Sequence, residues 1–272
     1  MTMDEKNNKT QTVIPNPWDS LKRFTGARIA LGRCGASLPT GELLRFRLAH
    51  ARAKDAVYTA LDYERLKTDM ERITGTDALL LDSRAHDRAE YLKRPDLGRR
   101  LSEESAALLA SRAPGAAYDI APVISEGLSA IAIERNLRPF LELFCPELRR
   151  AGLSAAPACL VRQGRVAVAD EVGSLFGARI AVILIGERPG LSSPDSMGIY
   201  LTFGPRPGTT DERRNCISNV RPEGMSYEAG VSKLMYLITQ SLRLGLSGIA
   251  LKDEQPIGGE LQGDSHALGG GE

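Results

Sequence analysis

No apolar run in this chain approaches the roughly 18 residues needed to cross a bilayer. No hydrophobic segment with a cleavage site opens it either, so the expected setting is cytoplasmic, with neither secretion nor a membrane span. Cysteine is scarce: Cys34, Cys145, Cys159 and Cys216 are scattered without a CxxC pair. In a chain of 272 residues that pattern points to reduced thiols, not to a disulfide framework. His50, His86 and His266 lie at no ligand spacing from one another or from a cysteine, so a protein-built zinc or iron site is not expected. Neither sign of charge is in excess, with 35 basic against 34 acidic residues, which removes the electrostatic case for nucleic acid or a membrane surface. GxSxG, HExxH, a P-loop and a complete GxGxxG are all missing.

What is present is enough apolar material, 42% of the residues, for a substantial core. Its densest run is Ile180–Ile185, six apolar residues of which four are β-branched, leading into Gly186, Glu187, Arg188 and Pro189-Gly190. That composition and length fit a strand buried on both faces, of the kind found in parallel sheets covered by helices. Ligands of open α/β sheets bind beyond the carboxyl ends of the strands, which makes the Gly186–Gly190 loop the first place to look for chemistry.

Along the chain, 1–15 reads as a polar tail, and Pro17 starts a short helix through Phe24 anchored by Trp18. Thr25–Ser37 is a glycine-rich surface loop. Thr40 caps a helix over about 41–57 with Leu44, Leu48 and Ala51 on one face. Tyr63–Ile73 is a helix and Ala78–Asp82 a strand. Residues 91–100 form a basic loop, and Leu101–Ser111 a helix stopped by Pro114-Gly115. From 117 the texture alternates: strands at Ile120–Ile124, Ala158–Val161, Arg165–Ala169, Ile180–Gly186 and Met197–Phe203, with helices between them. The helix before Leu153 carries the stripe Leu137, Leu141, Phe144 and Leu148, with Pro139 near a helix start. Tyr227–Leu244 is a helix stopped at Gly245, and 253–272 a glycine-rich tail. Repeated βα units predict an α/β fold, a Rossmann-like, mainly parallel sheet over 117–252 with a helical N-terminal region over 16–115.

The polar groups worth weighing sit where loops should leave the sheet: Ser125-Glu126-Gly127, Gly164-Arg165-Val166, Gly186–Gly190 and Asn215–Asn219. The strand-to-helix junction at Ser125–Ser129 is one where a polar ligand can meet first-turn N–H groups. Glu187 alone is equally a loop carboxylate paired with Arg188 or a ligand contact. Cys216 alone is more often a small buried hydrophobe than a reactive thiol. A pocket built from several such loops suits a large, flat, polar-edged ligand.

These loops also carry a resemblance. Arg94-Pro95-Asp96-Leu97-Gly98-Arg99-Arg100-Leu101, Ile124-Ser125-Glu126-Gly127-Leu128-Ser129, Gly164-Arg165-Val166, Leu184–Leu191 (LIGERPGL) and Cys216-Ile217-Ser218-Asn219 follow one another as in the small (light) subunit of ethanolamine ammonia-lyase, which the chain resembles from about 26 to 250. The resemblance implies an adenosylcobalamin-dependent lyase that converts ethanolamine to acetaldehyde and ammonia by a radical route. It implies a large-subunit partner, a TIM barrel that holds the substrate, in an assembly of six copies of each chain. It also implies cobalamin contacts at Val166, Glu187 and Cys216, and no catalytic residue on this chain. Cys216 would act there by fit and weak hydrogen bonding. The absence of DxHxxG agrees with a cofactor that keeps its own benzimidazole on cobalt. Two departures stand out: Glu126 occupies a position where aspartate is usual, and the tail before Trp18 is short for a family whose longer extensions are linked to bacterial microcompartments. The competing expectations are a stand-alone Rossmann-like nucleotide-binding regulatory protein and an adaptor whose loops touch only protein.

Overall fold

The computed structural model describes residues 13–112 and 117–252. The Pro114-Gly115 stop, the tail at 253–272 and residues 1–12 of the N-terminal tail lie outside the described residues. Six strands form one sheet: β1 (Ala78–Asp82), β2 (Ile120–Ser125), β3 (Ala158–Arg162), β4 (Ile180–Gly186), β5 (Met197–Phe203) and β6 (Arg214–Val220). Their order across the sheet is β1-β3-β2-β4-β5-β6. Seven helices accompany them among the described residues: α1 (Thr40–Tyr58), α2 (Tyr63–Thr74), α3 (Arg88–Lys93), α4 (Glu103–Arg112), α5 (Ala130–Arg150), α6 (Val168–Leu175) and α7 (Tyr227–Leu244).

β1, β3, β2 and β4 run parallel to one another, whereas β5 pairs antiparallel with both β4 and β6. The sheet is therefore mixed, mostly parallel, and the reason lies in the connections. A parallel return needs a crossover of about a dozen residues or more, usually through a helix. The loop at 187–196 joins β4 to β5 without one, so the chain turns back antiparallel.

Every residue of β4 is buried. Ile180, Val182 and Leu184 point into the core under α2, α5 and α7, while Ala181, Ile183 and Ile185 point into the core under α4 and α6. A strand with both faces covered has no polar face to show, which is why its sequence is unbroken apolar. The stripe on α5, Leu137, Leu141, Phe144 and Leu148, is buried against the same sheet. α7 opens on Ser226, whose hydroxyl accepts from the Ala229 N–H at 3.2 Å, and closes on Gly245 at φ 71°, a left-handed cap that glycine adopts without strain.

Several expectations change. Thr40 is the first residue of α1, and it makes no capping hydrogen bond. The Leu44, Leu48 and Ala51 face of α1 is exposed; the helix buries Ala49 and Ala56 instead. Trp18 anchors nothing, being 65% exposed beside the 3₁₀ turn Asp19–Phe24. Pro139 stands inside α5, as does Pro146. Arg165–Ala169 is not a strand, because Gly164–Ala167 turns directly into α6 and the Val168 N–H bonds back to the Arg165 carbonyl at 2.9 Å. Asn215–Asn219 is not a loop but most of β6.

Candidate functional site

β2 leads through α5 to β3 on one side, and β3 leads through α6 back to β4 on the other side of β2. α5 and α6 cover opposite faces of the sheet, so the chain parts at the carboxyl ends of β2 and β4. That parting is where open α/β sheets leave a crevice. A cleft of about 520 Å³ lies there, walled by the turns after β2, β3 and β4 together with Tyr91, Tyr200 and Ser218. β5 is antiparallel to both neighbours, so β6 runs in the same direction as β4; Val220 pairs with Met197, and Met197 with Gly186. The end of β6 therefore rises to the level of the cleft.

Two glycines let these turns approach one another. A Cβ on Gly186 would stand 2.1 Å from the Ser129 carbonyl oxygen and 2.4 Å from that of Glu126. Gly127 sits at φ 55°, and a Cβ there would stand 2.3 Å from the Gly186 oxygen. The Leu128 N–H closes the contact by donating to the Gly186 carbonyl at 2.9 Å.

Glu187 opens the loop after β4. It does not pair with Arg188. Its Oε2 accepts from the Ser196 hydroxyl and from the Asn219 N–H at 3.2 Å, while its own N–H donates to the Ser196 carbonyl at 3.0 Å. Oε1 has no hydrogen-bond partner among the described residues. The rest of the loop is fastened to α5: Ser129 donates to the Pro194 carbonyl at 2.8 Å, Asn136 to the Asp195 carbonyl at 2.8 Å, and Arg135 pairs with Asp195. Ser129 also accepts from the Ala132 N–H, so the start of α5 is occupied by the chain's own loop and not left open for a ligand. Arg28 reaches the same loop from the N-terminal segment and donates to the Leu191 carbonyl at 3.2 Å.

A buried polar cluster adjoins the cleft through Tyr91. Glu126 is 3% exposed and accepts from the Gln163 N–H at 2.8 Å and the Ser125 hydroxyl at 3.1 Å. Burial pushes its carboxyl above the usual range, against the pull of the Gln163 N–H, Tyr63 and Arg88. Arg88 donates to the carbonyls of Val57 at 2.8 Å and Gly127 at 2.7 Å, tying the end of α1 to the β2 turn. Tyr91 is wholly buried, with the guanidinium of Arg165 4.0 Å and that of Arg88 4.8 Å from its ring centroid. Burial raises its hydroxyl to about 12, partly offset by Arg165. Arg88 stands near that hydroxyl without hydrogen-bond geometry, and the oxygen has no partner.

Val166 and Glu187, both singled out from the sequence, line the cleft. Cys216 does not. It lies on β6 opposite Tyr200, whose side chain does line the cleft. Burial pushes the Cys216 thiol up, and the Glu187 charge adds to this, while the adjoining Tyr200 hydroxyl pulls the other way. Burial likewise raises the Tyr200 hydroxyl. No local pattern in the sequence marks Tyr91, Arg88 or Tyr200; only their placement in space does. Among the described residues no cluster of three or more His, Cys, Asp or Glu is placed to hold a metal. No helix among them is long and apolar enough to cross a membrane.

The molecule is an α/β protein with an open, polar-edged cleft at the parting of its parallel strands, the place where sheets of this class bind ligands. The family model for ethanolamine ammonia-lyase light chain (EutC) matches residues 15–252, and the chain belongs to that family. It is 55% identical over 244 residues to the ethanolamine ammonia-lyase small subunit of Azotobacter vinelandii, covering 89% of this chain and 90% of that one. The small subunit of Pseudomonas putida is 53% identical over 244 residues, covering 89% of each chain. That of Ralstonia nicotianae is 53% identical over 257 residues, covering 93% of this chain and 94% of its own.

Proposed function

We propose that this chain is the small subunit of an adenosylcobalamin-dependent ethanolamine ammonia-lyase and that its cleft is one wall of the cofactor site. In this reading the parallel part of the sheet is Rossmann-like, 117–252 is the cofactor-contacting domain, and 16–115 is the helical N-terminal region. The large subunit holds ethanolamine, which leaves as acetaldehyde and ammonia, and six copies of each chain make the assembly.

The single observation that carries the reading is the state of Glu187. Ser196 and Asn219 fix its side chain through Oε2, leaving Oε1 unpartnered in the cleft wall. A pre-positioned carboxylate oxygen is an acceptor for amide N–H groups, and a corrin carries such groups around its rim. Gly198 makes room for it, since a Cβ there would stand 2.9 Å from Oε1. The cleft is open and flanked by apolar Val166, Leu128 and Ile185, which suits a large ligand covered on its other side by a second chain. Cys216, beside Tyr200 on the neighbouring strand, contributes by fit and weak hydrogen bonding, as a thiol and not as a nucleophile. Bound adenosylcobalamin supplies the radical chemistry; this chain's residues bind and orient it.

Co-expression with a large subunit, followed by titration of the purified complex with cobalamin, tests the proposal. Glu187→Ala should weaken cobalamin binding about tenfold, the loss of one or two charge-assisted hydrogen bonds, with the fold intact. Wild-type affinity and turnover in that variant would overturn the site assignment.

A further inference from the structure

The cleft holds more hydrogen-bond donors than the chain uses. Tyr91 is wholly buried, yet its hydroxyl has no partner, and the buried Nε of Arg165 beside it has none either. Buried polar groups are met in the great majority of native proteins, and each exception calls for a cause. Both residues belong to the cleft wall. Arg165 uses Nη2 to donate to the Tyr91 carbonyl at 2.9 Å, which holds its guanidinium over the ring.

Arg188, exposed at the cleft, makes no hydrogen bond or ion pair with the described residues. Glu187 is the one acidic side chain in the wall, and it is bound to Ser196 and Asn219, not to either arginine. α6 begins at Val168, directly after the Arg165 turn, so the positive end of its dipole adds to the same side. The Tyr91 hydroxyl is protonated at neutral pH, as any tyrosine is, and burial raises it further, so it is a donor. Unmet donors, two of them guanidinium groups without a counter-ion, complement an oxyanion.

We propose that Arg165, Tyr91 and Arg188 form a phosphate subsite within the cleft. The inference rests on the cofactor reading above, and within it the matching group is the phosphodiester of cobalamin's nucleotide loop, the one peripheral anion that cofactor carries. Glu187 and this subsite then grip different parts of one molecule. Glu187 accepts from amide N–H groups at the corrin rim, and the arginine side donates to the nucleotide loop.

The test is a spectrophotometric titration of the complex with its large subunit, using cobalamin and, in parallel, cobinamide, which keeps the amides but lacks the nucleotide phosphate. Arg165→Gln and Arg188→Gln should each weaken cobalamin binding about tenfold and leave cobinamide binding unchanged. Tyr91→Phe removes one oxygen and no packing, and should weaken cobalamin alone by a smaller factor. Equal losses for both corrinoids would assign these donors to amide carbonyls, and no loss would assign them to water; either result overturns the phosphate subsite. Glu187→Ala in the same titration separates the two proposals. If it weakens both corrinoids while the arginine and tyrosine variants bind like wild type, the subsite falls and the cofactor reading stands. If no variant changes either affinity, both fall.

Discussion

Glu126 is a buried carboxyl group, with one oxygen on a backbone N–H and the other on a serine hydroxyl. Burial disfavours its charged form and lifts its titration above the roughly 4.3 of a free glutamate. The sign of the consequence follows. Between the unfolded and the raised folded value the native chain holds a proton that the unfolded chain releases, so stability present at low pH is lost as pH rises through the folded value. Glu126→Gln cannot titrate. Its melting temperature should therefore gain on the wild type as pH is raised from about 4 to about 8, followed by circular dichroism. A difference independent of pH would mean that the buried carboxyl stays ionised throughout. The sequence showed Glu126 as a motif residue, but the groups that oppose the effect of its burial, Gln163, Tyr63 and Arg88, come from distant parts of the chain.

The elements differ in how plainly they were written. β4 and α7 were legible end to end, because an unbroken β-branched run and a 3.6-residue apolar period each have one good structural answer. β6 was not: in Arg214–Val220 only Arg214, Ile217 and Val220 are buried, and an edge strand with so little apolar surface reads as a loop. Arg165–Ala169 failed in the opposite way. Its alternating valines and alanines mimic a strand, yet Val168, Ala169 and Val172 are the buried side of α6. At the element scale the site hangs on one contact, the end of β4 against the β2 turn. Gly186→Ala would drive a Cβ into two backbone carbonyls that cannot rotate away. It should destabilise the chain by about 3 kcal/mol or more in chemical denaturation and displace the Glu187 loop. A near-neutral result would show that the β4 end and the start of α5 can separate.

At the scale of the molecule, exposed apolar side chains gather at one end of the sequence. Leu44 and Leu48 on α1 are 58% and 53% exposed, and Trp18, Leu21 and Phe24 stand open nearby in the chain. Exposed leucines without a cover are a mark of a partner surface, and the proposed large subunit is the occupant they suit. Leu44→Glu with Leu48→Glu should change stability by less than about 0.5 kcal/mol, since neither side chain is packed, while sharply reducing the amount of chain retained on a tagged large subunit. Undiminished retention would place the interface elsewhere.

The sequence by itself determined the α/β class, the buried strand at Ile180–Gly186 and the ordered loop motifs, because local period, turn chemistry and short patterns are carried by neighbouring residues. It also marked Val166 and Glu187. Only the tertiary structure decided that β5 runs antiparallel to both β4 and β6, that Cys216 lies beside Tyr200, that the start of α5 is already covered, and that Tyr91 and Arg165 share one wall of unmet donors. The physical reason is common to all four. Strand direction, burial and the satisfaction of a hydrogen bond are properties of groups brought together from distant parts of the chain, and no local pattern records which groups those will be.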